Sequence, residues 1–485
     1  MGERFGNFVE GKWTEAAGRE SFASINPADK RDVIGEFAAS GVEDARRAVS
    51  AADAALPKWK ALSGWARGEY LRKAADLLES KLEEVAQAMV RENGKTIGEA
   101  RGETARGVAL LRFYSAEGVR SLGEVIPSVN PRTFVYTTRV PLGVVSVITP
   151  WNFPIAIPIW KLAPALVYGN TVVLKPASAT PHCAVLIAKV FEQAGLPAGV
   201  LNLVTGGGRA LGEELVKNDR VHGVTFTGSN AVGRRIAVWA AERGVKFQLE
   251  MGGKNPVIVL PDCDLEQAAT LTVRGAFGYA GQKCTATSRV IIVDPIYGPF
   301  SEKLVEKVKA LKIGPGREES TFLPPVVSEE QRRGILESIA KGKADARLLC
   351  GGGIPSGGAF ESGCYLEPTV FGDVAPGSFL TQEEIFGPVL ALMRARDFDE
   401  AIRLANDTRY GLSASIFTRD LNAVQEYAAR IEAGVVKVNS ETAGIEPQIP
   451  FGGVKESSSH SREQGRAAME FFTSIKSVYM DRAGQ

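Results

Sequence analysis

The sequence predicts an α/β protein of two lobes facing a cleft, and three observations carry that prediction. Residues 41–120 place apolar side chains at helical spacing. From Val144 onward, short β-branched runs alternate with helix-length segments, the pattern of a mostly parallel sheet covered by helices. The alternation starts again after Ser288, so the chain holds a second unit of the same kind.

Taken in order, the helices come first. Ala45-Arg46-Arg47-Ala48 and the run Leu71 to Leu78 repeat apolar residues at i, i+3, i+4 and i+7. Strands are then predicted at Val144 to Ile148, Thr171 to Leu174, Val200 to Val204, Gly223 to Phe226, Lys246 to Leu249 and Val257 to Leu260. The second unit supplies Val290 to Val293, Val389 to Met393, Ala414 to Phe417 and Gly434 to Val438. A Gly/Pro-rich stretch, Ile313-Gly314-Pro315-Gly316, is read as the middle between the lobes. Ligands bind such sheets beyond the carboxyl ends of strands, so motifs at strand ends matter most.

Composition excludes several classes of function. The 485 residues are 45% apolar and 23% charged, ordinary for a globular protein with a large core. Lys plus Arg (57) nearly balance Asp plus Glu (56), which leaves no basic footprint for nucleic acid or a membrane surface. The first residues hold no apolar run for a signal peptide. The most apolar stretch, Val140 to Leu174, is broken by Pro141, Pro150, Pro154, Pro158 and Pro164, which rules out a simple membrane helix. Five widely spaced cysteines read as free thiols in a reducing cytosol, so a cytoplasmic protein is expected. Three scattered histidines, with no CxxC or HExxH, predict no metal site and no Cys-His hydrolase.

Some strand-end segments carry chemistry. Leu174-Lys175-Pro176-Ala177-Ser178 and Phe226-Thr227-Gly228-Ser229 follow strands, and such turns into a helix can expose N–H groups to a pyrophosphate. The GxGxxG fingerprint is absent, and glycines serve turns first. Asn152, between Pro150 and Pro154, could donate its amide to a developing oxyanion, or could simply bond its own turn. A lone cysteine is ordinarily a small buried hydrophobe, yet Cys284 lies between Gly281-Gln282-Lys283 and Thr285-Ala286-Thr287, a polar setting. Lys283 would favour its thiolate if it points inward. Glu250 ends an apolar strand before Gly252-Gly253, either as a capping carboxylate or as a base for water.

In order, Thr149 to Pro154, Lys175-Pro176-Ala177, Phe226 to Ser229, Glu250 to Lys254, Gly281 to Cys284, Glu384-Ile385-Phe386-Gly387-Pro388 and Pro450 to Gly453 resemble the signature blocks of the aldehyde dehydrogenase superfamily. The resemblance spans essentially the whole chain. It implies a Rossmann-like cofactor domain (1–121 and 141–249), an α/β catalytic domain (250–451), and a small bridging β-sheet (122–140 and 470–485) that joins a homodimer or homotetramer. It also implies Cys284 as nucleophile, Glu250 as general base and Asn152 as oxyanion donor. Lys175 and Glu384 would hold the cofactor riboses, Phe386 would pack by the nicotinamide, and Gly228 and Ser229 would meet the pyrophosphate, with Trp151 and Gly252 also at the cofactor.

Ser178 stands where NAD-preferring relatives carry Glu, so no carboxylate repels a 2′-phosphate there. With Lys175, and Arg209 as a second cation, this predicts that NADP is accepted and preferred, with NAD also used. The segments Gly281 to Arg289, Val438 to Gly444 and Ser457 to Glu463 resemble 2-oxoglutarate semialdehyde (2,5-dioxopentanoate) dehydrogenases. A small acidic aldehyde needs a cation in its tunnel. Arg106, on a predicted helix Glu103 to Glu117, is the candidate, with Phe153, Trp160, Ile445 and Phe451 as further substrate contacts; a solvated helix arginine is the alternative. Succinic semialdehyde or broad aliphatic aldehyde oxidation, and a non-catalytic nucleotide-binding or structural member, are the rival readings. Glu250 speaks against a CoA-acylating relative.

Overall fold

The computed structural model describes residues 3–120 and 122–482. Residues 1, 2 and 121 of the expected cofactor lobe, and 483–485 of the expected bridge, lie outside the described residues.

The N-terminal helices form where the apolar spacing predicts them, at Val42–Ala61, Gly64–Ser80, Leu82–Asn93 and Ile97–Glu117. The last begins at a capping box. Thr96 Oγ1 accepts from Glu99 N, and the Glu99 carboxylate accepts from Thr96 N. At Gly107 a β-carbon would stand 2.9 Å from Ile159 and 3.2 Å from Ile155 and Leu78, so glycine lets this helix pack close to Ala156–Val167.

The first large sheet has the strand order Lys246–Glu250, Val221–Thr227, Val144–Ile148, Thr171–Lys175, Leu201–Leu203, Asn7–Val9 and Lys12–Thr14. The first five run parallel, and the two N-terminal strands close the edge antiparallel. The second runs Arg347–Cys350, Thr369–Gly372, Val389–Ala395, Thr287–Val293, Asn255–Val259, Ser413–Phe417 and Val435–Val438, parallel except for its first pair. Its central strands are buried on both faces, which is why they read as unbroken apolar runs. A third, antiparallel sheet joins Thr473–Asp481, Thr133–Pro141 and Val125–Ile126.

One expectation is corrected. The stretch 313–316 does not divide the lobes. The chain passes from one large sheet to the other between Glu250 and Asn255. Gly316 instead packs against the other lobe: its carbonyl accepts from Ile97 N at 2.8 Å, and a β-carbon there would lie 2.1 Å from the Lys95 carbonyl. Its glycine and proline content serves that close approach. The strands before residue 40 and those at 347–350 and 369–372 carry too few alternating residues to be read from the sequence.

Candidate active site

Cys284 follows a kinked 3₁₀ turn, Gly278–Gly281, in which Tyr279 (φ 59°) and Ala280 (φ 51°) both take left-handed backbone. The loop after it is tied down by Asn255, whose Nδ2 donates to the carbonyls of Cys284 and Ala286, both at 2.8 Å, while its Oδ1 accepts from Ser413 N. Gly253 allows this, because a β-carbon there would sit 2.6 Å from the Cys284 carbonyl. The thiol keeps part of its surface in a cavity of about 640 Å³. Burial pushes its pKa up to about 12, helped by the carboxylates of Glu384, Glu250 and Glu463. At neutral pH the resting sulfur is therefore a thiol, despite its cationic neighbour. Lys283 is buried, but its Nζ lies 4.0 Å from Glu441 and over the Tyr279 ring, so its charge is largely answered elsewhere.

Asn152 is buried on the segment between strand Val144–Ile148 and helix Ala156–Val167. Its Nδ2 donates one hydrogen to the Gln282 carbonyl at 2.9 Å, which fixes the amide beside the Cys284 loop and leaves a second N–H. A buried ion pair holds the segment from behind. Lys95 pairs with Glu103 and donates to the Asn152 carbonyl, and Glu103 accepts from the N–H groups of Ile155 and Ala156.

Glu250 ends its strand with its carboxylate buried, which together with Glu463 raises its pKa well above the usual range. Ser458 donates to Oε2 at 2.6 Å, and Oε1 has no partner among the described residues. Behind it Lys161 pairs with Glu463 and donates to Thr225. Nothing in the local sequence marks Lys95, Glu103, Lys161 or Gln464. Ser458 and Glu463 stand out only within the segment that carries the subgroup resemblance.

The cavity also gathers Arg106, Phe153, Trp160, Ile445 and Phe451, residues brought together from three stretches of chain. Arg106 donates to the Ile445 carbonyl and to Gln464 Oε1, and stacks over Trp160 at 5.7 Å. Among the described residues it makes no ion pair, and burial lowers its pKa.

On the far side of Cys284 the residues fit a dinucleotide. Glu384 accepts from Gly253 N at 2.9 Å, and a β-carbon on Gly252 would lie 2.2 Å from its Oε2. Burial raises the Glu384 carboxyl to about 7 and lowers buried Lys175 to about 8. Phe386 (φ 55°) meets Trp151 edge-on at 5.4 Å. Ser229 is the N-cap of helix Asn230–Arg243 yet spends no side-chain bond on it, and buried Thr227 Oγ1 has no partner among the described residues. Ser178 is exposed, with its Oγ donating to the Gly206 carbonyl at 3.0 Å, and Arg209 is exposed in the first turn of helix Gly208–Lys217. Among the described residues no group of three or more His, Cys, Asp and Glu gathers as a metal site, and no helix is long and apolar enough to cross a membrane.

Comparison with known proteins gives the same family. The profile of the Aldehyde dehydrogenase family matches residues 13–478. An alpha-ketoglutaric semialdehyde dehydrogenase of Bacillus subtilis is 52% identical over 98% of this chain and 97% of its own. A 2,5-dioxopentanoate dehydrogenase of Saccharolobus solfataricus is 45% identical, covering 96% and 98%. The crystal structure of betaine aldehyde dehydrogenase from Staphylococcus aureus in complex with NAD+ superimposes with a TM-score of 0.96 at 32% identity, covering 99% of this chain and 95% of that one. A cysteine at a cavity, with a buried carboxylate and a fixed amide on the segments around it, is what oxidation of an aldehyde through a thioester requires, and the chain belongs to the aldehyde dehydrogenase family.

Proposed function

We propose that this enzyme oxidises 2,5-dioxopentanoate to 2-oxoglutarate, with NADP preferred over NAD. The observation that carries the substrate is Arg106, a half-buried guanidinium that makes no ion pair among the described residues and lines the same cavity as Cys284. An unpaired buried charge is costly, and a substrate carboxylate relieves that cost. The names of the Bacillus and Saccharolobus relatives agree with such a substrate.

In this reading the Cys284 sulfur bonds to the aldehyde carbon and its thiol proton leaves to a base. The carbonyl π pair moves onto oxygen, where the free N–H of Asn152 meets it, together with the Cys284 backbone N–H. Lys175, Ser178, Gly228, Ser229, Gly252, Glu384, Phe386 and Trp151 would hold the dinucleotide. Held by these residues, the dinucleotide would supply a hydride acceptor for the thiohemiacetal carbon. Glu250 then takes a proton from water, the resulting hydroxide adds to the thioester carbon, and the C–S bond breaks to give carboxylate and thiol. Burial and Glu463 raise the pKa of Glu250, so once ionised its carboxylate holds a proton more tightly than an exposed one does.

The domain division at 1–121 with 141–249, 250–451 and the 122–140 with 470–485 bridge belongs to this proposal, as does association through the bridge. Free cysteines at all five positions agree with a reducing compartment. Steady-state NADPH formation tests the substrate. A lead of 2,5-dioxopentanoate over succinic semialdehyde and a neutral aldehyde by about tenfold in kcat/KM, about 1.4 kcal/mol of discrimination, is expected. Equal values would make this a broad aldehyde dehydrogenase.

A further inference from the structure

Gln464 has no role in the chemistry above, yet it is fully buried and lines the Cys284 cavity. Its backbone takes a left-handed φ of 59°, unusual for a side chain of this size. The strain is held by its neighbours. Glu463 and Phe451 exchange backbone hydrogen bonds at 2.6 and 2.7 Å, and Gly465 N donates to the Pro447 carbonyl. The amide oxygen accepts from Arg106 at 3.0 Å, which fixes which way the side chain is turned. Among the described residues its Nε2 then has no acceptor, and neither do Arg106 Nε and Trp160 Nε1. Three buried donors on three touching side chains, all lining one cavity, are left without acceptors.

Buried donors are normally satisfied, and a cluster of orphans beside a reactive sulfur points to a ligand rich in acceptors. The other two guanidinium nitrogens of Arg106 are already committed to Ile445 and Gln464. Three of its five N–H groups remain, and Nε is the guanidinium nitrogen that makes no bond among the described residues. A simple carboxylate has two oxygens for this cluster, whereas a 2-oxo acid presents three on adjacent carbons.

We propose that Gln464 is a specificity residue that reads the 2-oxo oxygen of the substrate through Nε2, while Arg106 Nε and Trp160 Nε1 take the adjacent carboxylate. This rests on the acidic-aldehyde reading above and goes further: the site discriminates a 2-oxo acid from a plain acid of equal length. Nothing in the carboxylate-binding role of Arg106 alone gives that discrimination.

The test compares 2,5-dioxopentanoate with 5-oxopentanoate, which has the same length and carboxylate but no 2-oxo group, and with pentanal. The parent enzyme is expected to favour the dioxo acid over 5-oxopentanoate by on the order of tenfold in kcat/KM. Gln464→Leu, of similar volume, should bring that ratio close to one, chiefly through KM. Gln464→Glu keeps an acceptor for Arg106 but sets a carboxylate against the substrate, and should weaken both acids relative to pentanal. A dioxo-to-5-oxo ratio unchanged by Gln464→Leu, or an equal loss on all three aldehydes, overturns the proposal. So does a Gln464→Glu enzyme that handles both acids as before. If the parent favours neither acid over pentanal, the acidic-aldehyde reading itself fails, and that result is separable because it appears before any substitution is made.

Discussion

The Cys284 thiol is the residue whose environment has the clearest consequence. With its pKa pushed up to about 12, the thiolate fraction of the unliganded enzyme rises about tenfold per pH unit across the neutral range. Alkylation of the Cys284 peptide by iodoacetamide, followed by mass spectrometry, should therefore climb without a plateau from about pH 6 to about pH 9. A plateau below about pH 8 would mean that Lys283 lowers the thiol pKa after all. Ser178 makes a second prediction at this scale. It is exposed, with its Oγ donating to the Gly206 carbonyl. Ser178→Glu should lower the NADP-to-NAD ratio of kcat/KM at least about tenfold, by repelling a 2′-phosphate and accepting a 2′-hydroxyl. An unchanged ratio would remove Ser178 from cofactor choice.

At the scale of elements, the helix Ile97–Glu117 does two jobs, presenting Arg106 to the cavity and Glu103 to the back of the Asn152 segment. Glu103→Leu leaves Lys95 buried without its partner, a loss of about 3–5 kcal/mol by comparison with other buried pairs. Its melting temperature should fall by several degrees. Adding Lys95→Met removes the orphaned charge and should recover much of that stability, but kcat should stay low because the Asn152 carbonyl has lost its donor. Recovery of kcat in the double variant would show that the pair is only structural. This pair also marks where sequence reading stops. The helices of 41–120 and most sheet strands from Val144 onward were legible because their periodicity is local, and Cys284, Glu250 and Asn152 could be singled out as candidates because each lies in a contiguous block. Gln464 and Lys161 were not, since their meaning comes from partners 358 and 302 positions away, a separation at which no local pattern survives. The Gly/Pro stretch at 313–316 misled for the opposite reason: its composition is that of a linker, while its backbone is used to touch the other lobe.

At the scale of the whole molecule, the third sheet leaves Ile475, Tyr479 and Met480 exposed on one edge strand, Phe134 on the central strand and Val125 on the other edge. Such apolar strand surface is what a subunit contact covers. Replacing Ile475 and Tyr479 together with Glu should shift the particle to monomer in light scattering, while the unaltered chain sediments as a dimer or tetramer. A monomeric parent would end the proposal of association through this sheet.

The C-terminal third has a consequence for how the enzyme comes into being. Ser458 on Glu250, Glu463 on Lys161, and Gln464 and Ile445 on Arg106 all come from residues 445–464, translated after every partner they bind. A nascent chain on the ribosome can complete its first large sheet and carry Cys284 before the base is held or the cavity floor exists. The reactive cysteine thus waits unarmed until residues 445–464 have been made, and the order of translation itself delays turnover to that point.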